Sequence, residues 1–262
     1  MQSKIIGTTL PVLEIILDPG EKIVAETGAL SWMTEPVTMH TTTATGGARG
    51  IWGAVTRAIG GGGLFMTEFS AERERGMVAF AAKVPGAILP VEIGGGRSYM
   101  VHRHGYLCGT EGVEVSVGLQ QSLGAGIFGG NGFILQKVAG SGSAWVELGG
   151  EIVTYDLPAG ATLRVHPGHV GMFEDSVGFE ITMVRGIRNL FFGGDGLFLA
   201  HLTGPGKVWL QTLTMPNLAH SLSPYLAREG GDAAGTMTAA AIGTGVASAV
   251  FNGIFGGDRD DT

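Results

Sequence analysis

Gly129-Gly130-Asn131-Gly132-Phe133-Ile134-Leu135-Gln136-Lys137-Val138-Ala139 opens on residues suited to a tight turn and continues as an apolar alternation. Two further stretches read the same way: Gly61-Gly62-Gly63-Leu64-Phe65 and Gly193-Gly194-Asp195-Gly196-Leu197-Phe198. With Phe65, Ile134 and Phe198 taken as equivalent, the spacings are 69 and 64 residues. Each landmark is followed by two short apolar runs separated by a polar or glycine turn. These are Met66 to Phe69 and Met77 to Ala81, Leu135 to Ala139 and Ala144 to Leu148, and Leu199 to Leu202 and Val208 to Leu213. Alternation with a period of two, broken by turn residues, predicts strands, and each pair of runs reads as a β-hairpin.

A second landmark keeps nearly the same period. Pro19-Gly20, Pro85-Gly86 and Pro158-Ala159-Gly160 are 66 and 73 residues apart, and each precedes a further apolar run. Short segments able to form helices, Ile51 to Ile59, Leu119 to Phe128 and Ile187 to Phe192, come just before the glycine landmarks. Repetition at a fixed period marks one supersecondary unit used several times. We therefore expect an all-β body over residues 1–215, with units at about 11–83, 84–149 and 150–215. A sheet apolar on one face cannot bury that face alone. Three units around a pseudo-threefold axis, resembling a shortened double-stranded β-helix, would cover one another and hide most strand edges.

Composition agrees with a turn-rich globular protein. Glycine supplies 47 of 262 residues, and 44% of the chain is hydrophobic against 15% charged. Sixteen basic and twenty-three acidic residues leave a net charge of −7, which argues against a nucleic-acid partner. Gly60 to Gly63 is not followed by the Lys-Ser/Thr of a phosphate loop. The lone Cys108 can form no internal disulfide. The apolar run within Met1 to Leu17 is broken by Pro11 and Glu14, unlike a secretory signal, so the expected location is cytoplasmic.

Residues 216–262 fall outside the repeats and are expected to form a helical, Gly/Ala-rich apolar tail with an acidic end. Asn217 is placed to cap a helix from Leu218 to Leu226, although Pro224 interrupts it. Ala233 to Phe255 carries no charged side chain, but Gly, Asn, Ser and Thr dilute its hydrophobicity. That composition favours close packing in an oligomer or peripheral contact with the inner membrane face over a membrane span.

The opening Lys4-Ile5-Ile6-Gly7 and the run Leu17-Asp18-Pro19-Gly20-Glu21-Lys22-Ile23-Val24-Ala25-Glu26-Thr27-Gly28-Ala29-Leu30-Ser31-Trp32-Met33 resemble the altered-inheritance-of-mitochondria protein 24 family. Gly61 to Phe65 and the two later landmarks look like its other hallmarks, so the resemblance covers about residues 1–215. It implies a fold similar to the tryptophan RNA-binding attenuation protein, with three units per chain. It also implies a link to inner-membrane organisation through the family's fungal member, and carries over no enzymatic activity.

Seven histidines, His40, His102, His104, His166, His169, His201 and His220, are the side chains best suited to chemistry. If His102-Arg103-His104 lies in one strand, its two imidazoles share a face. With Glu111 and His169 they would form a cupin-like site for one transition metal ion, although His104 to Glu111 is wider than the cupin pattern. The competing reading makes these hydrogen-bonded turn or surface histidines. Two more features have bland readings. Glu26, Glu35, Glu174 and Asp175 sit beside turns, where carboxylates bind backbone amides or face solvent. Cys108 reads as a small buried hydrophobe. Trp52, Val55, Phe128, Phe191, Phe192, Val250 and Phe251 would make an apolar patch for self-association or membrane docking. The expected function is a non-enzymatic, homo-oligomeric scaffold or binding protein with peripheral membrane contact and no cofactor. The alternative is the metal-dependent enzyme.

Overall fold

Val12-Leu13-Glu14-Ile15-Ile16-Leu17 alternates along the sequence and in space, with Leu13, Ile15 and Leu17 wholly buried and their neighbours half-buried. The computed structural model describes residues 1–42, 66–121, 133–184 and 197–225, and most of these are in antiparallel strands. The first stretch holds β1 (Gln2–Ile6), β2 (Val12–Leu17), β3 (Lys22–Glu26), β4 (Trp32–Met33), β5 (Val37–Thr42), β6 (Met66–Ala71) and β7 (Gly76–Ala81). The second holds β8 (Gly86–Ile93), β9 (Tyr99–His102), β10 (Tyr106–Thr110), β11 (Val113–Gln121), β12 (Phe133–Gly140) and β13 (Gly142–Gly149). The third holds β14 (Ile152–Leu157), β15 (Thr162–Val165), β16 (Val170–Glu174), β17 (Gly178–Val184), β18 (Leu197–Thr203) and β19 (Gly206–Gln211).

One pairing scheme recurs along the chain. In the first stretch the last strand, β7, lies between β2 and β4, while β6 lies between β3 and β5. In the second, β13 lies between β8 and β10, and β12 between β9 and β11. In the third, β19 lies between β14 and β16, and β18 between β15 and β17. Consecutive stretches are joined by backbone pairing of β3 with β10 and of β9 with β16. The sheet orders are therefore β1-β2-β7-β4, β5-β6-β3-β10-β13-β8, β11-β12-β9-β16-β19-β14 and β15-β18-β17. The pairing that would close the three stretches into a ring, β15 with β4, is not among these, and both strands end their sheets.

Three apolar clusters fill the space between the layers. The first gathers Leu13, Ile15, Phe69, Phe80 and Trp145, the second Val101, Tyr106, Val138, Val146 and Met172. In the third, Phe179 stacks between Phe133 and Phe173 at centroid distances of 5.5 and 5.4 Å.

The expected hairpins are corrected by this topology. β6 and β7, β12 and β13, and β18 and β19 are successive strands, yet each pair divides between two sheets. Their shared apolar faces meet across the core, as Phe69 on β6 and Phe80 on β7 do edge-on at 5.6 Å. The second landmark is also out of phase. Pro19-Gly20 turns the chain between β2 and β3, and Pro158-Ala159-Gly160 between β14 and β15, with Gly20 and Gly160 at φ +87 and +78°. Pro85-Gly86 instead leads into β8, and Gly94 to Gly96 make the corresponding turn.

The terminal helix is shifted as well. Helix α1 runs Met215–Leu222 and is capped by Thr214, whose Oγ1 accepts the Asn217 amide at 3.3 Å, so Asn217 lies inside the first turn. Leu119 to Gln121, expected to begin a helix, finish β11. The rest of that segment, Ile51 to Ile59, Ile187 to Phe192 and the patch residues Trp52, Val55, Phe128, Phe191, Phe192, Val250 and Phe251 lie outside the described residues. Among the described residues no helix is long and apolar enough to cross a membrane.

Candidate functional site

Polar side chains collect where the first stretch joins the second. Glu147 sits in β13 within Ala144-Trp145-Val146-Glu147-Leu148, a run that is otherwise fully apolar, and is 4% exposed. Its Oε1 accepts the backbone amides of Lys83 at 2.6 Å and Val84 at 3.3 Å. Its Oε2 is buried with no hydrogen-bond partner. Burial therefore pushes this carboxyl above the ordinary glutamate range, against the opposing pull of the Lys83 amide and ammonium charge. Nearby, Glu26 receives Lys83 Nζ on Oε2 and Gln136 Nε2 on Oε1, both at 3.4 Å. The Tyr106 hydroxyl donates to the Val24 carbonyl at 2.9 Å, and burial raises it well above the usual phenol range.

The histidine pair does not form a chelating strand face. β9 ends at His102, and His104 adopts φ +74°, a left-handed conformation in the turn to β10. His102 Nε2 donates to the Glu147 carbonyl at 3.1 Å, which fixes the protonated ring nitrogen. Burial lowers the pKa of both imidazoles. The contact with the Glu147 carbonyl partly offsets this for His102, and Glu26 does so for His104. Glu111 lies in the turn between β10 and β11, and His169 donates from Nδ1 to the Gln211 carbonyl at 2.8 Å. Among the described residues no three His, Cys, Asp or Glu side chains converge as a ligand set for a metal ion. The left-handed His104 gives a direct prediction: His104→Gly relieves the Cβ strain and should raise stability by up to about 1 kcal/mol in chemical denaturation.

A second polar node repeats the first at the next junction. Gln211 is 6% exposed and follows Val208-Trp209-Leu210 as Glu147 follows Ala144-Trp145-Val146. The registers agree, since Val146 faces Tyr106 and Leu210 faces Val170, each just before a bulge. Gln211 Oε1 accepts the Gly149 amide at 3.0 Å, and its Nε2 donates to the Gly168 carbonyl at 3.2 Å. The amide thus satisfies both ends where the carboxyl satisfies one. Sequence reasoning missed this pair, although a lone polar residue closing an apolar run was a readable signal.

The other candidates are tied into the frame. Glu174 Oε2 accepts the Lys207 amide at 2.9 Å. Asp175 takes Lys137 Nζ at 2.7 Å and the Ser98 hydroxyl at 3.1 Å, and the lysine contact lowers its pKa. Cys108 is buried, and burial holds its thiol well above the usual range, so it is a neutral packing group.

Exposed apolar side chains follow a pattern of their own. Trp32 and Met33 on β4, Met39 on β5, Val117 on β11, Val153 and Tyr155 on β14, and Met183 on β17 are all exposed, and all lie on strands that end a sheet. Ile5 and Ile6 on β1 add to the set.

These features define an all-β protein whose sheets share strands between successive stretches and in which most sheet-ending strands carry exposed apolar side chains. Residues 3–213 match the family described as Mitochondrial biogenesis AIM24, and the chain belongs to that family. An uncharacterized protein of Streptococcus pyogenes serotype M6 is 26% identical over 220 residues, covering 82% of this chain and 87% of its own length. The crystal structure of a Streptococcus pyogenes protein is similar in fold, with a TM-score of 0.68 at 23% identity. It covers 86% of this chain and 99% of the solved one.

Proposed function

We propose that this chain acts by binding rather than by catalysis, as a self-associating scaffold of the cytoplasmic side that makes peripheral contact with a membrane. The observation that carries this reading is the placing of exposed Trp32, Met33, Met39, Val153, Tyr155 and Met183 on sheet-ending strands. Edge strands are usually blunted by charge, because an apolar edge recruits other chains. The polar groups inside the molecule support the same reading, since His102, Glu147, His169 and Glu174 are engaged by backbone partners. The uncharged run Ala233 to Phe255 supplies the membrane part of the proposal from its sequence.

The test compares the full chain with a variant lacking residues 233–262. Mass is read by light scattering on a sizing column, and partitioning by co-sedimentation with neutral phosphatidylcholine vesicles, chosen because the chain carries a net charge of −7. The full chain should exceed the monomer mass and sediment with vesicles, and the deletion should change one or both. A monomer that ignores vesicles, unaltered by the deletion, overturns the proposal.

A further inference from the structure

The strand that pairs across each junction has a partner at two of three positions. β3 pairs with β10 and β9 pairs with β16, each in an antiparallel register of three residue pairs. By the same scheme β15 needs the counterpart of β10 and β16, and β4 needs the counterpart of β3 and β9. Among the described residues of one chain neither finds it. Burial follows the pairing. β10 and β16, which have partners, are buried over their first four residues, whereas both residues of β4 are exposed. β3 has three buried residues in succession, whereas β15 buries only Val165. Length follows it too, since β10 and β16 run five residues and β4 only two.

We propose that β15 of one copy pairs antiparallel with β4 of a second copy, completing between chains the junction that occurs twice within each. The inference rests on the self-association proposed above and names its surface and its partner. Joined this way, β5-β6-β3-β10-β13-β8 and its successor have a third equivalent, β17-β18-β15 continuing into β4-β7-β2-β1 of the next chain. The contact is head-to-tail, so each copy keeps one free end until the assembly closes. Trp32 and Met33 become buried at the join, as their counterparts on β10 and β16 are.

Cysteine cross-linking in the full chain tests this. Trp32→Cys is paired with Arg164→Cys or with Thr162→Cys, two exposed positions on one face of β15 that cover neighbouring registers. The native Cys108 is buried and serves as its own control. Mixing the two singly substituted chains under mild oxidation should give dimers of unlike variants, and a double variant should give a ladder that grows with protein concentration. Trp32→Lys, checked for folding by far-ultraviolet circular dichroism, should reduce the mass in solution. Cross-links formed only within a chain, at a rate independent of concentration, would mean that β15 meets its own β4 and overturn the proposal. Oligomers that neither cross-link at these positions nor respond to Trp32→Lys would overturn this interface and leave the scaffold proposal standing. A monomer at every concentration would overturn both.

Discussion

Gly140→Ala is expected to destabilise the protein by roughly 2–5 kcal/mol. Gly140 closes β12 at φ +95°, where the chain leaves one sheet for another, and a Cβ there would press into the Gly112 carbonyl oxygen. Two costs add. The left-handed conformation itself costs about 1–2 kcal/mol for a residue with a Cβ. The collision is with backbone, which no change of rotamer relieves, and overpacking of that kind costs about 1–3 kcal/mol or more. Gly20→Ala separates the two, because Gly20 has φ +87° and nothing within 4 Å of the added methyl. It should lose only the conformational part. Chemical denaturation of both variants checks the prediction, and equal losses would mean that the corner at Gly140 opens without consequence.

That corner also explains which parts of the fold were legible. Alternation is a local property, so strands were readable from runs such as Met77 to Ala81 and Leu135 to Ala139. Pairing is not local. The rule that neighbouring strands pair is a tendency, and Gly140-Ser141-Gly142, with Gly140 and Gly142 both at positive φ, reads as a hairpin turn while directing β12 and β13 into different sheets. Pro85-Gly86 misled for a related reason, because a proline-glycine pair punctuates a chain without saying which two strands it separates. At the site, His102 and His104 attracted attention as chemical side chains, but the left-handed His104 removes them from one strand face. Glu147 was overlooked because a single acid near the end of an apolar run looks like an outward-facing residue. Its burial follows from Lys83 and Val84, which reach it from a link more than sixty positions earlier in the chain.

Glu147 gives the second large effect, and its two variants should move in opposite directions. Glu147→Ala leaves the Lys83 and Val84 amides without their acceptor and opens a void in β13. Losing two part-buried hydrogen bonds to a carboxylate and leaving a void together should cost roughly 2–4 kcal/mol. Glu147→Gln keeps the Oε1 acceptor and replaces the partnerless Oε2 with an amide, the arrangement Gln211 already uses at the next junction. Its effect depends on pH with a definite sign. Burial raises the folded-state pKa of Glu147 above that of the unfolded chain. The folded protein therefore holds this proton more tightly, and its contribution is fully present below the ordinary glutamate pKa. It is lost as pH rises through the folded-state value. Glutamine does not ionise and escapes that loss. The melting temperature of Glu147→Gln should accordingly match the wild type near pH 4 and exceed it at pH 7, while Glu147→Ala melts lower at both. A glutamine variant less stable than the wild type at pH 7 would mean that the buried carboxylate has a partner that it needs in charged form.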